Sequence, residues 1–158
     1  MNEGHKKLQI YQQAHRLAIE IHEMTMQLPS FERFEEGSQI RRSSKSVASN
    51  IVEGYALRKY KKEFVRFLFR AYGSCEETLE HLEILSDTKS IKDQTSFTYL
   101  REGINNLCGK ILRYIQAIDQ SFGMPNFMKE PEGQYFNIDD SDESPASAQS
   151  SNPKPRTF

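Results

Sequence analysis

Apolar residues recur at steps of three and four along most of this chain, the spacing that puts them on one face of an α-helix. Ile10, Ala14, Leu17, Ile21, Met24 and Leu28 form the first such stripe, predicting a helix from about His5 to Gln27. Pro29 ends it, because the residue before a proline is pushed out of the α region. The stretch SFERFEEG then reads as a loop, with Ser38 as the N-cap of a second helix over about Gln39 to Leu57. A third stripe, Phe64, Leu68, Ala71, Tyr72, Cys75, Leu79 and Leu82, predicts a helix from about Tyr60 to Asp87. After a polar break to Lys92, a fourth carries Phe97, Leu100, Ile104, Leu107, Ile111, Ile115 and Ile118, with Gly123 and Pro125 as its stop. Nothing alternates as a strand would. Four amphipathic helices with short connections predict an all-α fold, an antiparallel up-and-down four-helix bundle.

Composition adds a second region. Hydrophobic residues make up 37% of the 158, below the usual share, and the deficit lies at the end. From Gly123 to Phe158 the chain holds five of its six prolines and finishes SDESPASAQSSNPKPRTF. Such a segment cannot bury enough apolar surface to offset the entropy of ordering it, so a disordered tail is expected. The expected organisation is a bundle over residues 1–122 and a flexible, acidic, Pro/Ser-rich tail over 123–158. The charge divides the same way, with 18 Lys/Arg against 16 Asp/Glu in the first part and 3 against 6 in the second.

Cys75 and Cys108 both fall in apolar helical stretches, as buried free thiols of a reducing cytoplasm would. The N-terminus has no signal-like apolar run, and no run approaches the length of a membrane span. A cytoplasmic protein without membrane contact is expected.

Three outer features exceed what a core requires. The second helix has a thin stripe, Ile40, Val47 and Ile51, with Ser44 and Gly54 at the other inward places. Beside it lie Gln39, Arg42, Ser43, Ser46, Asn50 and Glu53. Serine and asparagine are weak helix formers, so this edge reads as a polar network or as a surface that another backbone approaches closely. It lacks a histidine or cysteine to activate a serine, so neither catalysis nor a cofactor is expected there.

The second feature is charge. Arg41, Arg42, Lys45, Arg58, Lys59, Lys61, Lys62, Arg66 and Arg70 stand against Glu53 and Glu63 alone between positions 41 and 70. Lys62, Arg66 and Arg70 follow at steps of four, where like charges repel by a few tenths of a kcal/mol. Glu76, Glu77, Glu80, Glu83 and Asp87 then reverse the sign. One reading is a solvated surface whose ends pair with a neighbour of opposite sign. The other is a phosphate-binding face for RNA or DNA, with Tyr55 and Tyr60 placed to stack on bases. Third, Leu8, Tyr11, His15, Ile19, His22 and Met26 form a half-apolar band on the first helix, which points to self-association. His15 and His22 lie two turns apart, about 10 Å on a helix, too far to share one metal ion.

Several blocks in order, LQIYQQAHRLAIEIHEMTMQLPSFERF, QIRRSSKSVASNIVEGYA and EFVRFLFRAYGSCEETLEHLEI, resemble the bundle family typified by the protein encoded in intervening sequences of bacterial large-subunit (23S) ribosomal RNA genes. The blocks run from about Leu8 to Ile118. Gln39 to Arg42, Ser46 to Gly54, Phe67, Leu68, Ala71, Gly73, Ser74 and Glu77 are their most specific positions. The resemblance implies a bundle that assembles as a ring, typically a homopentamer, with no established activity or cofactor. It also brings in the basic accessory proteins of diversity-generating retroelements, which partner a reverse transcriptase and bind nucleic acid. The expectation is a non-enzymatic oligomer that binds nucleic acid through Arg41, Arg42, Lys45, Arg58, Lys59, Lys62, Arg66 and Arg70, or an adaptor of a reverse transcriptase. Gln39, Ser46, Asn50, Glu53, Gly54, Gly73, Ser74 and Glu77 form its signature and polar network.

Overall fold

The computed structural model describes residues 3–119, and the tail expected from Gly123 onward lies outside them. A short 3-10 turn, Glu3–Lys7, leads into α1 (Gln9–Met26); then come α2 (Ser30–Phe34), α3 (Glu36–Ala56), α4 (Lys61–Asp87) and α5 (Gln94–Ile118). Among the described residues there are no strands. The four long helices are those the apolar stripes predict.

Contacts between helices join early residues of one to late residues of the next. Arg41 meets Thr25, Thr78 meets Ser43, Cys108 meets Cys75 and Tyr99 meets Glu20. Each long helix therefore runs opposite to its neighbours, and α1 closes the circuit against both α3 and α5. The core lies along the shared axis. Ile21, Ile40, Ile51, Leu68, Leu82, Leu85 and Ile111 are fully buried there. Met24 and Leu79 pack at its margin.

The differences from the expected boundaries have local causes. The segment after Pro29 is not a plain loop but the one-turn helix α2, and α3 starts at Glu36 rather than Gln39. Ser38 therefore sits inside the first turn of α3, not at its N-cap, which is Glu35 and makes no side-chain cap. Gly37 allows this tight join: a Cβ there would lie 2.9 Å from the Glu32 carbonyl oxygen. Arg41 secures it by donating to the Arg33 carbonyl and to Thr25 Oγ1, each at 3.0 Å.

At the end of α4, Lys89 takes the left-handed conformation (φ 60°). Its N–H and that of Ser90 donate back to Ser86 and Leu85, closing the helix as a Schellman motif. Asp93 then caps α5, accepting from the Thr95 N–H at 3.0 Å and the Ser96 hydroxyl at 2.7 Å. α5 stops at Ile118, ahead of Gly123 and Pro125. Asp119, buried beside Lys61 at 3.0 Å, turns the chain out of the helix.

Candidate nucleic-acid interface

The serine-rich edge of α3 faces α4, and hydroxyls line the seam. Ser43 and Thr78 oxygens lie 2.9 Å apart, each with a carbonyl one turn back, Ile40 at 3.2 Å and Ser74 at 2.7 Å. A turn further along, Ser46 and Ser74 hydroxyls are 2.9 Å apart, and the Asn50 amide donates to the Ser46 carbonyl and hydroxyl. At the next turn Gly54 receives Phe64 and Phe67; a Cβ there would lie 2.9 Å from Phe67 Cβ. Small and mutually bonded side chains thus let two helices run close. Thr78 and Ser74 are the partners that periodicity overlooked. Thr78 falls in the inward series Ala71, Cys75, Leu82, where a polar residue already signals a buried partner.

The signature positions divide. Ser46, Asn50, Gly54 and Ser74 build the seam, while Gln39, Arg42, Glu53, Gly73 and Glu77 are exposed. A methyl group at Gly73 would meet nothing within 4 Å, so packing within one chain gives no reason for glycine there. Glu77 lies 3.6 Å from His81 Nε2, and His81 Nδ1 bonds Glu36 at the start of α3.

The basic residues also divide. Arg58, Lys59, Lys62 and Arg66 gather where α3 turns into α4, all exposed, and Arg70 follows one turn on. Lys62, Arg66 and Arg70 climb about 6 Å per step along α4. Aromatic faces brace two of the guanidiniums, Tyr55 under Arg58 at 4.3 Å and Phe67 under Arg70 at 5.0 Å. Such stacking holds an arginine extended without consuming its charge. Arg66 has Glu63 at 3.8 Å with both side chains well exposed, a weak pair. Among the described residues, Lys59 and Lys62 form no ion pair. Tyr60, 61% exposed, stands within this corner, whereas Tyr55 lies half-buried between His5 and Arg58.

Arg41, Arg42 and Lys45 are elsewhere. Arg41 is engaged inside the α1–α2–α3 join, and Arg42 is exposed about 24 Å along the helix axis from Arg58. Lys45 lines a groove of about 570 Å³ between α1 and α3, with Tyr11, His15, Ile19, His22 and Val52. That groove is the half-apolar band of the first helix. Ile19 and Met26 are each 48% exposed, and on α2 Phe31 and Phe34 protrude further. At the acidic end of α4, Glu83 pairs with Arg101 of α5.

The sequence pattern of the 23S rRNA-intervening sequence protein family matches residues 6–113. The chain belongs to that family. The match takes in α1 through most of α5, about two-thirds of the chain, and so covers both the seam and the basic corner. No curated protein is similar enough to this chain to count as a relative. Among the described residues no helix is long and apolar enough to cross a membrane, and no three metal-binding side chains cluster.

Proposed function

We propose that this intervening-sequence family protein is a non-enzymatic, cytoplasmic, self-associating bundle that holds nucleic acid, structured RNA first, on the basic corner between α3 and α4. The observation that carries this reading is the exposure of Arg58, Lys59, Lys62, Arg66 and Arg70 together, two of them braced on aromatic rings. Neutralised phosphates would release counterions there, so affinity comes from charge rather than base reading. The seam hydroxyls support binding over catalysis, because each is engaged by another side chain or a carbonyl. The α1–α3 groove and the apolar residues beside it support self-association, for which the family resemblance favours a pentameric ring.

A second reading, an adaptor for a protein such as a reverse transcriptase, draws on Phe31 and Phe34, two protruding rings one turn apart on α2.

Anisotropy of a labelled structured RNA between about 50 and 200 mM salt tests the first reading. The logarithm of affinity should fall linearly with that of salt, and Lys62→Glu with Arg66→Glu should cut affinity at least tenfold. Arg42→Glu, distant along α3, should do much less. Equal losses from both sites, or binding indifferent to salt, would sink the basic corner as the interface. Light scattering should give several times the 18.4 kDa chain mass, reduced by Ile19→Asp; a monomer refutes self-association.

A further inference from the structure

Two sulfurs meet in the core where α4 faces α5. Cys108 Sγ lies 2.6 Å from Cys75 Sγ, closer than unbonded sulfurs normally stand, and both thiols are buried and free. Cys75 also reaches the Ile104 carbonyl at 3.6 Å. The flanking residues Leu107 and Ile111 of α5 and Leu68 and Ala71 of α4 are aliphatic and buried, so they offer no competing nucleophile. We propose that Cys75 and Cys108 are a redox modification site, which a peroxide-class oxidant converts to an intrachain disulfide that clips α4 to α5.

Cys108, 5% exposed against 1% for Cys75, is the first to react. Its hydrogen bond to Cys75, and then burial, push the Cys75 thiol up, so Cys75 keeps its proton. The Cys108 sulfur attacks one peroxide oxygen; the O–O bond breaks, and the departing oxygen takes the Cys108 proton and leaves as water. Cys108 is then a sulfenic acid. Cys75 sulfur attacks Cys108 sulfur, the S–O bond breaks, and the departing oxygen carries away the Cys75 proton as a second water. Two thiols are oxidised and one peroxide is reduced, with no further reagent. Small peroxides suit this layer because bulky disulfides would have to open it. The clip closes a loop from residue 75 to residue 108, restricting the unfolded chain while leaving both helices in place.

The full chain is treated with millimolar hydrogen peroxide, quenched, alkylated in denaturant and weighed. Exposed Met26, which should gain oxygen, reports that the oxidant acted. The expected product is a monomeric chain that has lost two hydrogen atoms from its cysteines, takes up no alkyl group and yields a peptide joining Cys75 to Cys108. Its melting temperature should rise by about 10 °C and return on reduction. Cys108→Ala should abolish the joined peptide. Where that variant fails to fold, mapping of the wild-type peptides decides alone. Two thiols still alkylated after Met26 has oxidised would overturn the proposal, as would separate sulfinic acids or a disulfide between chains.

Discussion

Two helical glycines, one inside the α3–α4 seam and one exposed on α4, give a test in which the helix propensity term cancels. Gly54 and Gly73 both lie inside long helices, so alanine at either gains up to about 1 kcal/mol of helix propensity. At Gly73 a new methyl meets nothing within 4 Å, and Gly73→Ala should stabilise the protein by about 0.5–1 kcal/mol. At Gly54 it would lie 2.9 Å from Phe67 Cβ, 3.1 Å from Phe64 Cδ2 and 3.4 Å from the Phe64 carbonyl. A Cβ cannot rotate away, so α3 and α4 must separate, and overpacking of this kind costs about 1–3 kcal/mol. Gly54→Ala should therefore be neutral to about 2 kcal/mol destabilising, leaving the two variants about 2 kcal/mol apart. Urea unfolding followed by helical circular dichroism reads this directly, at one protein concentration because assembly adds to apparent stability. In thermal melts the gap should be about 8 °C. Equal effects at both positions would refute the close approach of α3 to α4. A destabilising Gly73→Ala that also reduces the assembled mass would place a neighbouring subunit on that face.

Lys89→Gly should stabilise by about 0.5–1 kcal/mol, since Lys89 holds a left-handed φ that glycine adopts without strain; a loss of stability would count against the Schellman closure of α4. Arg41→Ala should cost about 2 kcal/mol by removing two charge-assisted hydrogen bonds, yet leave RNA affinity unchanged, and a large affinity loss in a folded variant would put Arg41 back among the phosphate contacts. The Ser96 hydroxyl and the neighbouring N–H groups hold the Asp93 carboxyl below its usual range. Its contribution is therefore complete above about pH 4 and lost as pH falls through the lower folded value. Asp93→Asn keeps a good cap without that titration, so the melting-temperature gap between wild type and variant should narrow from pH 5 towards pH 2; parallel curves would contradict it.

The four stripes were legible because burial imposes the helical period on Ile10 to Leu28, Phe64 to Leu82 and Leu100 to Ile118 alike. Where periodicity thins, on α3, the weak helix formers themselves marked an interface, and Ser43 and Ser46 find partners across it in Thr78 and Ser74. Ser74 stood among the signature positions, but its pairing with Ser46, and Thr78 altogether, were not legible. Ser74 and Thr78 belong to another helix, and only the antiparallel register brings them opposite. α2 escaped notice because one turn is too short to show a period, and because Arg41 and Gly37, not propensity, hold it. Charge was legible as a total but not as a place: nine basic residues in sequence became one corner of five, two ties within the chain (Arg41 and Lys61) and two outlying side chains.

The hydroxyl seam between α3 and α4 has a consequence for fidelity. An all-aliphatic contact tolerates sliding, since one methyl serves nearly as well as the next. Here a slip of one turn would take Thr78 from Ser43 and Ser74 from Ser46, and could remake only one of the two hydroxyl pairs, Ser43 with Ser74 or Ser46 with Thr78. Buried hydroxyls without partners are penalised more heavily than their bonds are rewarded. The seam works like the notches of a key, rejecting misaligned pairings that the thin stripe of Ile40, Val47 and Ile51 would accept.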